Sequence, residues 1–251
     1  MATPSASITD TFANITSRLS SQPTDLESLA TLLPSHPTQR STVTVYTLSN
    51  DNPSKTQLYD DSTRRATYDV HVDFNRKRPM TCMRHLNADG SDGETFGCIE
   101  WHDFWPDQIS FKGAKMIRKS SFFTSAGPMS YAVRFKDDQG RKYTWKGLGA
   151  GLQLELRAED NFNPKVPIAQ FQRTRYDRST EPATPFPAML FLTSRAMEIK
   201  ELVIFTFFVL EKARRTNENS ELNRADGEKT QSVFGSGGVS IGDGVGGGVK
   251  R

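Results

Sequence analysis

Leu202-Val203-Ile204-Phe205-Thr206-Phe207-Phe208-Val209-Leu210 carries one hydroxyl and no charge in nine residues. The run sits inside a predicted helix, Met197 to Leu210, that has no polar face. A helix apolar all round must be buried on every side. A membrane span needs ~20 apolar residues, about twice this run. The economical burial is inside a curled sheet. The predicted fold is therefore mainly β (α+β): a closed or nearly closed antiparallel β-barrel wrapped around one buried apolar C-terminal helix. Ser194 is placed to cap that helix, and Glu198 and Glu201 fall in its early turns. Lys212, Arg214 and Arg215 follow the apolar run, where bases suit the macrodipole.

Strand patterns fill the chain before it. Thr42–Leu48 and Thr67–Phe74 alternate apolar and polar residues. Thr95–Trp101, Gln108–Phe111, Ala114–Arg118, Ser130–Lys136, Arg141–Lys146, Leu152–Arg157, Val166–Arg175 and Ala188–Thr193 follow, with turn residues between them. Short strands at even spacing point to an antiparallel sandwich or barrel. One hairpin can be read to its register. Setting Phe135 opposite Tyr143 and Val133 opposite Trp145 leaves the loop Asp138-Gln139-Gly140, with Gly140 at the left-handed position that closes such loops. The same register sets Lys136 against Lys142, with Arg134 and Lys146 on that outer face. Like charges opposite one another are destabilising. Two readings stay open: a solvated face, or an anion-binding stripe whose repulsion a phosphate relieves.

Net charge is only +3, but residues 108–178 hold 14 Lys and Arg against 6 Asp and Glu. This stretch favours anionic partners. Lys112, Lys115, Arg118 and Lys119 join Arg134, Lys136, Lys142 and Lys146 as candidate anion- or lipid-binding residues. The whole chain is not a polycation of the kind that binds nucleic acid. Residues 1–39 form a Ser/Thr/Pro-rich leader with two short amphipathic patterns. Residues 40–215 form the folded domain, its helix ending near residue 212, and 216–251 read as a disordered, Gly-rich tail. No secretory signal is evident, so the expected setting is cytoplasmic, at most peripheral to membranes, and the expected state a monomer. Reduced thiols are then the default for Cys82 and Cys98, with a disulfide left open.

Other constellations are weaker. Cys82-x2-His85 and Cys98-x3-His102 resemble a zinc set. If Thr95–Trp101 is a strand, residues four apart lie ~13 Å apart and cannot share one ion. The acidic loop from Asn87 to Glu94 lacks the glycine and glutamate spacing of a calcium loop. Gly147-Leu148-Gly149-Ala150-Gly151 opens a strand, not a helix, so it reads as a turn rather than a phosphate loop. Glu100, His102, Asp103 and Asp107 could do acid–base work, but no nucleophile motif accompanies them. The expectation is no enzyme, no cofactor and no metal.

Ile99-Glu100-Trp101-His102, Phe122-Phe123, Tyr143-Thr144-Trp145-Lys146 and the helix exit Glu211-Lys212-Ala213-Arg214-Arg215 together resemble a fungal, mainly basidiomycete, family of domains of unknown function. The resemblance covers roughly residues 40–215. That family is similar to the tubby, LURP-one-related and phospholipid-scramblase folds. The resemblance implies about twelve antiparallel strands around a central helix, and peripheral binding of anionic lipid headgroups. The competing expectation is a protein-interaction scaffold working through leader or tail; a hydrolase centred on His102 ranks below both.

Overall fold

The computed structural model describes residues 43–102, 104–127, 130–161, 163–179 and 182–234, with side chains as far as Ser220. The expected leader helices and the Gly-rich end of the tail lie outside these residues. The first half of the chain is a meander: β1 (Thr44–Leu48), β2 (Thr56–Asp60), β3 (Arg65–Asp73), β4 (Met80–Leu86), β5 (Asp92–Glu100), β6 (Gln108–Phe111) and β7 (Ile117–Arg118). A single helical turn, α1 (Lys119–Phe122), leads to β8 (Thr124–Ser125). Then come β9 (Ala132–Lys136), β10 (Lys142–Lys146), β11 (Leu154–Ala158) and β12 (Ala169–Gln172). A small hairpin, β13 (Arg175–Asp177) and β14 (Thr184–Phe186), precedes β15 (Met189–Leu192), α2 (Ser194–Met197) and α3 (Lys200–Phe234).

Thirteen of the strands form one antiparallel sheet in the order β7-β6-β5-β4-β3-β2-β1-β15-β12-β11-β10-β9-β8. β15 joins the halves by pairing with β1 on one side and β12 on the other. The sheet is not a closed barrel, because its edges, β7 and β8, are not hydrogen-bonded to each other. Both edges are only two residues long, and each pairs on its inner side alone, β7 with β6 and β8 with β9. They are nevertheless consecutive in the chain, so α1 can hold them no more than about 20 Å apart. Phe122 of α1 lies at the seam, its ring 6.0 Å from that of Phe205 and 6.3 Å from that of Phe135.

The sheet curls round the first third of α3. Every residue from Leu202 to Leu210 is buried. Phe205 packs on Phe111 of β6 at 5.1 Å, and Phe207 on Phe171 of β12 at 4.5 Å, so strands from both halves reach the same helix. Its one polar residue is satisfied twice. Thr206 Oγ1 donates to the Leu202 carbonyl (2.8 Å) and accepts from Trp145 Nε1 (2.9 Å). A buried indole N–H needs such a partner. The Tyr-x-Trp spacing of β10 follows, because Tyr143 and Trp145 both face inward and are fully buried.

The β9–β10 register is the predicted one: Phe135 faces Tyr143, Val133 faces Trp145 and Lys136 faces Lys142. Gly140 has φ +77°, the left-handed value its loop requires. The helix differs from expectation at both ends. Ser194 lies inside α2 with Thr193 before it, and the chain bends at residues 198–199 before α3 begins. α3 then runs on to Phe234 rather than stopping near residue 212. Arg214 and Arg215 are therefore mid-helix, where they pair with Glu211 rather than serve a C-terminus. No helix among the described residues is long and apolar enough to cross a membrane.

Cys82 and Cys98 form a disulfide, against the expectation of free thiols. They are direct partners on β4 and β5, with Cα atoms 4.2 Å apart, the narrow spacing of a non-hydrogen-bonded pair. Sequence pattern misses β4 because Met80, Thr81, Cys82 and Met83 are all buried, which leaves no alternation to detect. The two sulfurs are thus unavailable as metal ligands. The cysteines are sixteen positions apart, and closing a loop of that size is worth about 3 kcal/mol. Cys82→Ala/Cys98→Ala should lose that amount in denaturant unfolding, and reductant should bring the wild type to the same midpoint. A wild type indifferent to reductant would mean that the thiols are free.

Candidate functional site

The eight sequence-predicted cations do not form one stripe. Arg134, Lys136, Lys142 and Lys146 do lie on the outer face of β9 and β10, but Glu159 sits beside Arg134 (3.5 Å) and Lys142 (4.0 Å). Lys146 has no ion-pair partner among the described residues. Lys112 and Lys115 occupy the β6–β7 turn, and with Lys136 they edge a cavity at the N-terminal end of α3. Arg118 and Lys119 belong to the opposite end of the sheet. Lys119 pairs with Asp107 and lies 5.3 Å over the Trp101 ring.

The turn below Lys136 is rigid. Asp137 accepts from the backbone N–H of Arg141 (2.8 Å), from its guanidinium and from Tyr143 Oη (3.2 Å). Burial opposes the Asp137 charge, but these donors win and hold its carboxyl below the ordinary range. Burial also pushes the Tyr143 phenol up to about 12.

Two connections at the far end of the sheet form the other distinctive surface. The ladder Asp73–Met80–Glu100–Gln108 places the β3–β4 loop (residues 74–79) beside the β5–β6 loop (residues 101–107). Arg78 Nη1 binds them together, 3.2 Å from Glu100 Oε1 and 3.3 Å from His102 Nδ1. Three large aromatic side chains project from these loops into solvent: Phe74 is 75% exposed, Phe104 95% and Trp105 73%. Trp101 is different. Its Nε1 donates to Thr81 Oγ1 (3.1 Å), and its ring lies under Lys119 and, at 4.5 Å, Lys212. Burial lowers the Lys212 pKa, with Asp107 acting against it.

Charge surrounds the aromatic tips. Arg76 pairs with Asp73 (3.2 Å), Arg78 with Glu100 and Lys119 with Asp107. Lys77, Arg118 and Lys212 have no ion-pair partner among the described residues, so the end is net basic. His102 is held rather than poised. Its side chain is 7% exposed, Arg78 covers Nδ1, and Glu100 lies 3.3 Å from Nε2 off the hydrogen-bond direction. Asp103 is outside the described residues. Sequence reading gives no role to Phe74, Lys77, Phe104 or Trp105. The signals were available: Arg76-Lys77-Arg78 and Phe104-Trp105-Pro106 both fall in strand connections, where neither periodicity nor turn chemistry explains them.

Neither the curated proteins nor the solved structures contain a match to this chain. A family profile does match it, over residues 51–216, which takes in β2 to β15 and the buried part of α3. The chain belongs to that family, described as a family of unknown function, DUF6593.

Proposed function

We propose that the domain is a non-enzymatic peripheral binder of anionic membrane lipids, which it meets with the end carrying Phe74, Phe104 and Trp105. The observation that carries this reading is the exposure of three bulky aromatics on two adjoining loop tips, ringed by basic residues. Monomeric proteins rarely leave such a patch in water without a use. Trp in particular partitions to the bilayer interface. Each basic residue near an anionic leaflet adds ~1 kcal/mol, and salt screens that part. A weak apolar anchor and a weak basic collar are together enough for reversible attachment.

The resemblance to fungal tubby-like domains supports the same reading, since a curled antiparallel sheet around one apolar helix is the architecture that resemblance implies. The docking surface proposed is the loop end, with three exposed aromatics, rather than the β9–β10 stripe, where Tyr131 is the one exposed aromatic among the described residues and Glu159 sits between two of the cations. The scaffold reading would work through residues 1–39 or 216–251, and no contact of the described side chains favours it.

The test is co-sedimentation of the full chain with phosphatidylcholine vesicles, plain or doped with phosphatidylserine or a phosphoinositide, at low and moderate salt. Binding should require the anionic lipid and weaken with salt. Phe104→Ser/Trp105→Ser should reduce it about tenfold or more, since each tenfold needs only ~1.4 kcal/mol. Loss in Lys136→Glu/Lys142→Glu with Phe104→Ser/Trp105→Ser unaffected would move the surface to the hairpin. No binding at low salt would remove the lipid reading.

A further inference from the structure

We infer that the opposite mouth of the sheet binds a single-chain anionic amphiphile, an alkyl phosphate or carboxylate, independently of the membrane-docking end. The unclosed seam is the starting point. Because β7 and β8 do not pair, the sheet leaves a half-open cavity of about 600 Å³ against the start of α3. That is within the ~300–1,000 Å³ of small-molecule sites. Its floor is apolar: Ile109 and Phe111 of β6, Phe122 of α1 and Leu202 of α3. An alkyl chain laid there would take the place of the strand contacts that closure would have supplied.

The mouth selects for charge. Most ionic groups around it are already matched. Glu201 sits between Lys112 (3.3 Å) and His85 (3.2 Å). Glu198 takes Arg141 (3.2 Å) and Arg195, and Asp137 takes Arg141. Lys115, Lys136 and Lys200 remain without an ion-pair partner among the described residues, against one such acid, Asp138. Three elements thus each bring one uncommitted lysine to the cavity's lining: the β6–β7 turn, the β9–β10 hairpin and α3. Lys136 also faces Lys142 across the ladder, a repulsion that an anion at the mouth relieves. The turn that presents Lys115 is held at a cost, since Lys112 adopts φ +50°, a left-handed value unusual for a lysine. The N-terminus of α3 adds its partial positive charge. Three lysines with a greasy floor match an amphiphile better than a bare anion, which would leave the floor wet.

Lys200, at the mouth, and Lys212, over Trp101, are twelve residues apart on α3, about 18 Å. The two surfaces therefore fail separately. The measurement is calorimetric titration of the full chain with dodecyl phosphate below its micelle concentration, with inorganic phosphate and the neutral dodecyl maltoside as comparators. Dodecyl phosphate should saturate one site, and both comparators should bind at least tenfold more weakly. Lys115→Glu/Lys136→Glu should weaken dodecyl phosphate by tenfold or more. Ala114→Trp, at an exposed turn position lining the cavity, should obstruct it without touching the core. Phe104→Ser/Trp105→Ser should bind as the wild type does. Equal affinity for the maltoside, equal affinity for inorganic phosphate, or unchanged binding in both cavity variants overturns the inference. Loss of binding in Phe104→Ser/Trp105→Ser overturns it as well, because the amphiphile would then sit at the other end.

Discussion

Phe205→Asp should abolish the cooperative unfolding transition of this domain. Phe205 is fully buried, and its ring is shared by β6, α1 and the backbone of β5. Emptying such a site costs about 3–5 kcal/mol before any charge is considered. An ionised carboxylate there has no partner, so it must either pay a large desolvation penalty or take up a proton and stay unsatisfied. The sum approaches or exceeds the ~5–15 kcal/mol that holds a domain together. Phe205→Leu is the control, since it keeps the site apolar and should keep the transition. Gly97 of β5 makes the same point from the other side. A Cβ there would lie within 2.9 Å of Phe205 Cε2 and closer still to Cδ2, so Gly97→Ala should cost about 1–3 kcal/mol through overpacking. Phe205→Leu should recover part of that loss, as expected of residues in contact. Thermal melts followed by near-ultraviolet circular dichroism decide the matter. A soluble Phe205→Asp protein with a sharp, wild-type-like melt would mean that the helix is not the core.

The helix core could be read from sequence because it is extreme. Nine residues with no polar face have few places to go, and the strands before them left one. The β9–β10 hairpin was legible because inward aromatics and a left-handed glycine demand the same register. β4 was not, because a strand buried on both faces loses the period-two signal. That one omission hid the Cys82–Cys98 pair, which needs β4 beside β5 to exist. Closure was overstated for a related reason. Hydrophobic pattern says which residues face inward, but not whether the two edge strands, each only two residues long, meet one another. The aromatic loop tips and the cavity mouth were partly visible as basic residues. Their grouping was not, since Lys115, Lys136 and Lys200 come from three distant segments and meet only where the sheet fails to close.

The second large effect belongs to Glu211, whose side chain is 1% exposed in the middle of three arginines. Sequence reading treats Arg214 and Arg215 as charges that suit a helix end, yet both point into a buried network. Glu211 Oε1 accepts from Arg173 Nε (3.2 Å) and Arg215 Nε (2.7 Å), and Oε2 from Arg214 Nε (2.8 Å). Arg214 is almost wholly buried, and its Nη1 donates to the Leu152 carbonyl (2.9 Å). Arg215 reaches the carbonyl of Asp51 (2.6 Å) as well as its carboxylate. Glu211 is thus the common acceptor that pins α3 to the β1–β2, β10–β11 and β12–β13 connections at once. Glu211→Leu has similar bulk and helix propensity, but it leaves the buried Arg214 guanidinium with Glu218, at 3.6 Å, as its one remaining acid among the described residues. Removing one member of a buried ion cluster costs about 3–5 kcal/mol, because the remaining charge is stranded. Chemical denaturation should show that loss. Glu211→Leu/Arg214→Met should be more stable than Glu211→Leu alone, since removing both charges removes the stranding. If Glu211→Leu instead unfolds within about 0.5 kcal/mol of the wild type, the level of an ordinary surface change, the cluster is decoration and α3 is held by its apolar third alone.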